Sequence, residues 1–225
     1  MSTYATSTQQ LSGSWQQWPP QAKLQFLDRL RIANATRISP RERADCPFWA
    51  ERQFHIEDRA DPKTGAPLGP GPIQLAEHQR RIVRAALERD AQGRFRWTTV
   101  VWSAPKKSGK TRIAAMVAAW LAQTAGRYSE VYCLANDGKQ SADRVLAAVK
   151  KANELGQLGW RDKMTRVELP NGAFIEAVPV DPTGEAGANP TASIWSELWG
   201  FRLTAKERLW SEFTIPPTRA GRAIR

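Results

Sequence analysis

The chain has 225 residues, 41% of them hydrophobic, with 33 Lys and Arg against 22 Asp and Glu for a net charge of +11. That length and apolar content support one sizeable α/β domain or a domain with a small appendage, and no apolar run reaches the roughly 20 residues of a membrane span. Two cysteines, Cys46 and Cys133, argue against a zinc site and fit a reducing compartment, while the excess of positive charge favours a polyanionic partner.

Residues 1–19 are polar and show no charged head followed by an apolar stretch, so no secretory signal is expected. "PPQAKLQFLDRLRIANA" predicts a helix with proline at its start and Leu24, Leu27 and Leu30 on one face. Residues 34–74 read as loop, with "RADPKTGAPLGPGP" as a connection, which predicts an N-terminal appendage and linker over 1–70 and a core over 71–225.

From there helix and strand alternate. "LAEHQRRIVRAALERD" carries Ile82, Val83, Ala86 and Leu87 at helical spacing, and "RWTTVVWS" is a β-branched strand. "TRIAAMVAAWLAQTAG" predicts a helix burying Ile113, Met116, Val117, Trp120 and Leu121, stopped at Gly126. "SEVYCLAN" reads as a strand and "QSADRVLAAVKKANELG" as a helix. "RVELPNGAFIEAV" is a hairpin turning at Asn171-Gly172, and "TASIWSEL" is a short strand. The alternation predicts an α/β fold with a mainly parallel sheet and helices on both faces.

The chemistry concentrates in "SAPKKSGKT", residues 103–111, between the expected strand and helix. A phosphate-binding loop reads G-x-x-x-x-G-K-[ST], and it needs that setting because backbone N–H groups and the helix's positive end hold the phosphates. Gly109 permits close backbone approach, Lys110 reaches the β- and γ-phosphates, the Thr111 hydroxyl ligates Mg²⁺, and Ser108 lies inside the loop. Ala104 stands where the first glycine belongs, which Ala104-Pro105 can satisfy if φ stays negative. Lys106 reads as a cation placed where γ-phosphate charge develops; Lys107 reads equally well as a solvent-facing lysine. A partner carboxylate is expected at the end of a neighbouring strand. In "ASIWSEL" Glu197 stands where the water-orienting glutamate would be, and Ser196 where a metal-holding aspartate would be. Serine can bond a metal-bound water but brings no charge; Asp181, in "VPVDPTG", is a candidate to compensate.

"LAEHQRRIVRAAL", "VVWSAPKKSGKTRIAAMVAAWLA", "EVYCLANDGKQSADRVLAAVKKA", "GANPTASIWSELWGF" and "LWSEFTIPPTRAG" together resemble the ATPase half of tailed-phage terminase large subunits, motors that pump DNA into procapsids. The resemblance spans about residues 70–220 and implies a P-loop NTPase core of the RecA-like kind. It implies that Gln79 reads the adenine edge, that Lys106 is the family's basic residue four places before Lys110, and that Lys110, Thr111 and Glu197 keep their family roles. Ser196 departs from the family aspartate, and "EAGANP" holds no arginine to reach a neighbouring subunit. ATP and Mg²⁺ are the implied cofactors. Double-stranded DNA, the portal protein, the terminase small subunit and further copies in a ring are the implied partners, in the host cytoplasm. The family's large subunit also carries a nuclease domain, and cutting is not expected of residues 1–225, which hold no acidic cluster for two-metal chemistry after "TIPPTRAG". Two other readings stand beside this one: a helicase-like DNA-dependent ATPase, and a nucleotide- or DNA-binding module that has lost hydrolysis. Arg144, Lys150 and Lys151 are charged helix-face residues to which no DNA contact is assigned.

Overall fold

A computed structural model describes residues 16, 18–24, 26, 38–61, 63–135, 141–178, 188–196, 210, 213 and 223–225. Of the helix expected from the Pro19-Pro20 pair, residues 20–24 are helical and most of the remainder lies outside the described residues.

Residues 34–74, expected as loop, contain regular structure. Helix α1 (Pro40–Ala44) opens with a capping box in which the Ser39 hydroxyl accepts the Glu42 N–H and Glu42 accepts the Ser39 N–H. Helix α2 (Cys46–Gln53) is capped by the Asp45 carboxylate. Strands β1 (His55–Ala60) and β2 (Pro67–Pro72) then form an antiparallel hairpin. Prolines are poor strand formers because they lack an N–H. Here Arg59 of β1 adds side-chain bonds across the hairpin, donating to the carbonyls of Gly69 (2.9 Å) and Leu68 (3.3 Å).

Helix α3 (Glu77–Ala86) is shallowly seated: Val83 and the following Leu87 are buried, whereas Ile82, expected inside, is 39% exposed. Ion pairs Arg80–Glu51 and Arg84–Asp45 fasten it to α2 and its cap. Helix α4 (Lys110–Thr124) is buried almost all round, its stripe of Ile113, Met116, Trp120 and Leu121 widened by Ala115, Ala118, Ala119 and Ala122. Strand β3 (Glu130–Ala135), helix α5 (Ser141–Gly156), and strands β4 (Arg161–Asp162), β5 (Arg166–Glu168), β6 (Phe174–Val178) and β7 (Ala192–Ser196) complete the order.

The five-stranded sheet runs β4-β5-β6-β3-β7 and is mixed rather than mainly parallel. β3 pairs parallel with β6 and β7, but β4–β5 and β5–β6 are antiparallel. The physical reason is two chain reversals: at Asn171-Gly172, where Gly172 takes φ +80°, β5 must run against β6, and at residues 163–166, where the Lys163 N–H bonds Arg166 O, β4 turns back on β5.

Residues of α2, α4 and α5 share one core with Val131, Cys133 and Ala135. The alternate residues Tyr132 and Leu134 cluster with Val178 and Phe213 on the opposite face. Among the described residues, then, the helices packed on the sheet lie on one face, not both.

The strand expected at "RWTTVVWS" is also not formed. Residues 98–100 are joined instead to Arg225: Arg225 donates its N–H to Thr98 O (2.9 Å), and Val100 donates to Arg225 O (2.7 Å). Its neighbour Ile224 makes a parallel bridge with Ala192 of β7, so residues 224–225 lie between β7 and the segment leading to residue 103. A single bonded partner residue gives two ladder bonds, short of the run that a strand needs. The parallel direction nonetheless continues from β6 through β3 and β7 to residues 98–100.

Candidate functional site

The segment 103–111 begins beyond residues 98–100, which pair with Arg225 instead of forming a strand, and ends in the first turn of α4, so the helix half of the setting expected for its motif is formed. Gly109 is the N-cap of α4, with φ +82°, and no side chain caps the helix. The first-turn N–H groups of α4 are therefore left facing the loop without a side-chain acceptor.

The loop's backbone alternates in hand. Lys107 has φ +64° and Gly109 φ +82°, whereas Ala104, Lys106, Ser108 and Lys110 keep negative φ. Alternating right- and left-handed residues are the backbone pattern of an anion-binding nest, although the Ser108 N–H is taken by Pro105 O. Ala104 thus meets the condition set for a residue replacing the first glycine. The Ser108 N–H closes a turn onto Pro105 O at 3.4 Å. Lys110 Nζ donates to Ala104 O and Pro105 O, both at 2.6 Å, tying the start of the loop to the start of the helix. Lys106, Lys107 and Thr111 are exposed, and Ser108, Gly109 and Lys110 are half-buried.

Ser108 Oγ is enclosed and has no hydrogen-bond partner. A hydroxyl shut away from water without a partner costs about 1–3 kcal/mol, and a bound oxyanion at the loop would relieve it. Gly109 would accept a Cβ without contact, so its requirement for glycine is conformational and not one of space. These features fit a phosphate group with its metal ion: N–H donors and the Lys110 ammonium for phosphate oxygens, the Thr111 hydroxyl for a cation.

The remaining expected residues are more dispersed. Gln79 lies in the first turn of α3 and its Oε1 accepts the Ala76 N–H at 2.9 Å, a helix-capping bond; it makes no hydrogen bond to the 104–111 loop. Ser196 is the last residue of β7, paired across the parallel ladder with Ala135 at the end of β3. Glu197 and Asp181 lie outside the described residues. Trp195 is half-buried and donates its Nε1–H to Ser193 Oγ at 3.0 Å. Among the described residues no group of three His, Cys, Asp or Glu side chains is placed to hold a metal ion, and no helix is long and apolar enough to cross a membrane.

Lys150 and Lys151 are engaged within the molecule. Lys150 Nζ donates to Met164 O (2.8 Å), and Lys151 pairs with Glu57 (2.8 Å) and Glu154 (3.1 Å). Burial pushes the Cys133 thiol up to about 12 and the Cys46 thiol well above its ordinary value, so both are inert toward thiolate chemistry. Two features had no sequence signal. The left-handed backbone of Lys107 is one, because lysine is not enriched in that conformation. The other is Arg112, next to Thr111, which donates to Asp58 O (3.2 Å) and pairs with the Asp58 carboxylate (3.3 Å), fastening β1 to the first turn of α4.

No protein-family model matches the chain, and no curated protein matches it in sequence. Its fold is similar to that of a solved structure, the HK97 bacteriophage large terminase, with a TM-score of 0.61 and 17% sequence identity over 83% of this chain. The chain spans 37% of the length of that terminase. The likeness is one of fold: a mixed α/β sheet with helices, arranged as in a terminase.

Proposed function

We propose that this chain is the ATPase domain of a phage terminase large subunit, hydrolysing ATP with Mg²⁺ to drive double-stranded DNA into a procapsid. The observation that carries the reading is the alternation of φ through residues 106–110, which gathers backbone N–H groups at the uncapped start of α4 beside Lys110 and the unpartnered Ser108 hydroxyl. The terminase-like fold supports the same reading.

In this reading the nest N–H groups and Lys110 hold the β- and γ-phosphates, and Lys110 leaves one of its two carbonyl partners to do so. Thr111 and Ser196 hold Mg²⁺, which supplies charge neutralisation across the phosphates when bound. Lys106 adds positive charge at the γ-phosphate. Glu197, one residue past Ser196 at the end of β7, orients the attacking water. Gln79 keeps Nε2 as a donor for the adenine edge while its Oε1 serves Ala76. The division into a 1–70 appendage and a 71–225 core belongs to this proposal. So do the partners: DNA held through phosphate contacts consistent with the +11 charge, a portal protein, a small subunit, and further copies in a ring in the host cytoplasm.

Phosphate release from Mg-ATP, with and without double-stranded DNA, tests the proposal. Wild type is expected to turn over, and Glu197→Gln to bind nucleotide without turnover. Nucleotide binding with no turnover by wild type at any protein concentration would instead identify a hydrolysis-deficient module, the reading favoured by the uncharged Ser196. Equal turnover by wild type and Glu197→Gln would remove Glu197 from the mechanism.

A further inference from the structure

We propose that Arg225 is a positioning residue: its side chain ties the ribbon entering the phosphate loop to the far end of β7, and so sets the spacing between Thr111 and Ser196. This rests on the nucleotide-binding reading above and adds to it a residue that no motif singles out.

Backbone bonds reach only the near end of β7. Ile224 donates its N–H to Thr191 O and accepts the Ser193 N–H, both at 3.1 Å, while Arg225 bonds Thr98 and Val100 on its other side. Ser196 lies three residues beyond Ser193, and the loop begins three residues beyond Val100. Among the described residues no backbone hydrogen bond joins residues 101–103 to β7. The two segments that must meet at a nucleotide are thus left untied by the main chain where it matters.

The Arg225 side chain makes the missing tie. Its Nε–H donates to Thr99 Oγ1 at 2.9 Å, and its guanidinium lies over the Trp210 ring, with Cζ 4.4 Å from the centroid. Trp210 packs in turn on Trp195, ring centroids 4.8 Å apart. Trp195 immediately precedes Ser196 and is anchored against the cluster of Tyr132, Leu134, Val178 and Phe213. Contact therefore runs unbroken from Thr99 through Arg225 and Trp210 to the end of β7. It runs on the face of the sheet away from α4, so Arg225 acts through spacing and not by touching nucleotide. Its Nη1 is enclosed without a hydrogen-bond partner among the described residues. A guanidinium donor kept from water in this way is costly, and the tie gives the position a purpose. Phosphates held by the loop alone do not report the spacing, whereas a metal ion held between Thr111 and Ser196 does.

Two measurements on the full chain test this, each in wild type, Arg225→Met and Arg225→Lys. The first is the separation between spin labels at Ser103→Cys and Asn189→Cys, read without nucleotide by double electron–electron resonance; Cys46 and Cys133 are buried, so the introduced thiols label selectively. The second is calorimetric titration of ATP in EDTA and with Mg²⁺, which gives the gain in affinity due to the metal. Arg225→Met, apolar and of similar length, is expected to broaden the separation, to leave the affinity in EDTA unchanged and to cut the gain by roughly tenfold. Arg225→Lys keeps a cation for the Trp210 ring but loses the Nε–H, and should fall between the two. An unchanged separation, an unchanged gain, a wild type whose affinity Mg²⁺ does not raise, or equal losses with and without Mg²⁺ would overturn the inference, the last because a merely structural role weakens both alike. Should Arg225→Met fail to fold, Thr99→Val, which removes only the hydroxyl acceptor, is read in the same way. No ATP binding by wild type is a different result: it removes the phosphate-binding reading, while the label separation still decides whether Arg225 sets the spacing.

Discussion

Gly109 and Gly172 have nearly the same φ, +82° and +80°, yet they face different surroundings. A Cβ on Gly109 would meet nothing within 4 Å, so Gly109→Ala carries only the conformational penalty of about 1–2 kcal/mol, equivalent to a fall in melting midpoint of roughly 2–8 °C for a chain of this size. On Gly172 the same atom would come within 2.6 Å of the Tyr128 ring, which must then leave its place. Thermal denaturation should therefore show Gly172→Ala melting lower than Gly109→Ala, while phosphate binding should suffer in Gly109→Ala alone. Equal midpoints would mean that the Tyr128 ring moves away freely. At this scale the sequence was half legible. Gly109-Lys110-Thr111 stands out as the proposed phosphate motif because phosphate chemistry needs those residue types in that order. The hand of Lys107 does not, since it is fixed by neighbours and not by lysine's own preference. Ser196 is legible as a departure: if the missing carboxylate limits metal binding, Ser196→Asp should raise Mg²⁺-dependent turnover, and no gain would show that the metal is held adequately without it.

Helices α1 and α2 grip the far end of α4. Trp120 donates its Nε1–H to Glu42 O (2.8 Å), and Arg43 donates to Thr124 O (2.9 Å) near the C-terminus of α4. Glu42 itself is 5% exposed. Burial pushes its carboxyl up, but hydrogen bonds from the Ser39 N–H and hydroxyl, from Gln53 and from Arg52 outweigh that and leave it below the ordinary 4.5. A carboxyl lowered in the folded state contributes stability that is complete above about 4.5 and is lost as pH falls through the lowered value. Acid titration of stability should therefore show a loss below about pH 4.5 that Glu42→Gln reduces; an unchanged acid slope in the variant would mean that other carboxylates dominate. The signals for these helices were present in the sequence. Ser39-Pro40-x-Glu42 is a capping box with proline at the first helical position, and Asp45 precedes a second short helix. They are obscured by the proline- and glycine-rich stretch beside them, whose hairpin Arg59 spans by bonding the Leu68 and Gly69 carbonyls. By contrast α4, β3, α5 and the β5–β6 hairpin follow directly from periodicity and the Asn-Gly turn, because burial and local geometry ask for the same thing there.

Across the whole molecule the site depends on pairings between distant parts of the chain. Residues 98–100 are held by Arg225, more than 120 positions away, and residues 224–225 in turn lie against β7, whose last residue is Ser196. No periodicity in "RWTTVVWS" reveals that its partner is a single distant residue, which is why a strand is expected and a shorter pairing forms. The mixed sheet has a local origin: alternation of helix and strand predicts parallel neighbours, but two chain reversals, between Asp162 and Arg166 and at Asn171-Gly172, make half of the pairings antiparallel. What the fold keeps is a parallel arrangement around the proposed site. Strands β3 and β7 run in parallel toward one edge, where Ser196 sits, and the ribbon leading to the loop runs with them. The central claim is that this arrangement holds a nucleotide's phosphates at residues 104–111. Calorimetric titration of Mg-ATP into wild type and Lys110→Ala tests it most directly. The account predicts saturable heat with wild type and a loss of binding of at least tenfold in the variant, since removing one partner of a charge-assisted bond to phosphate costs about 1.5–3 kcal/mol. No heat with wild type, or equal affinity in the two proteins, would contradict it.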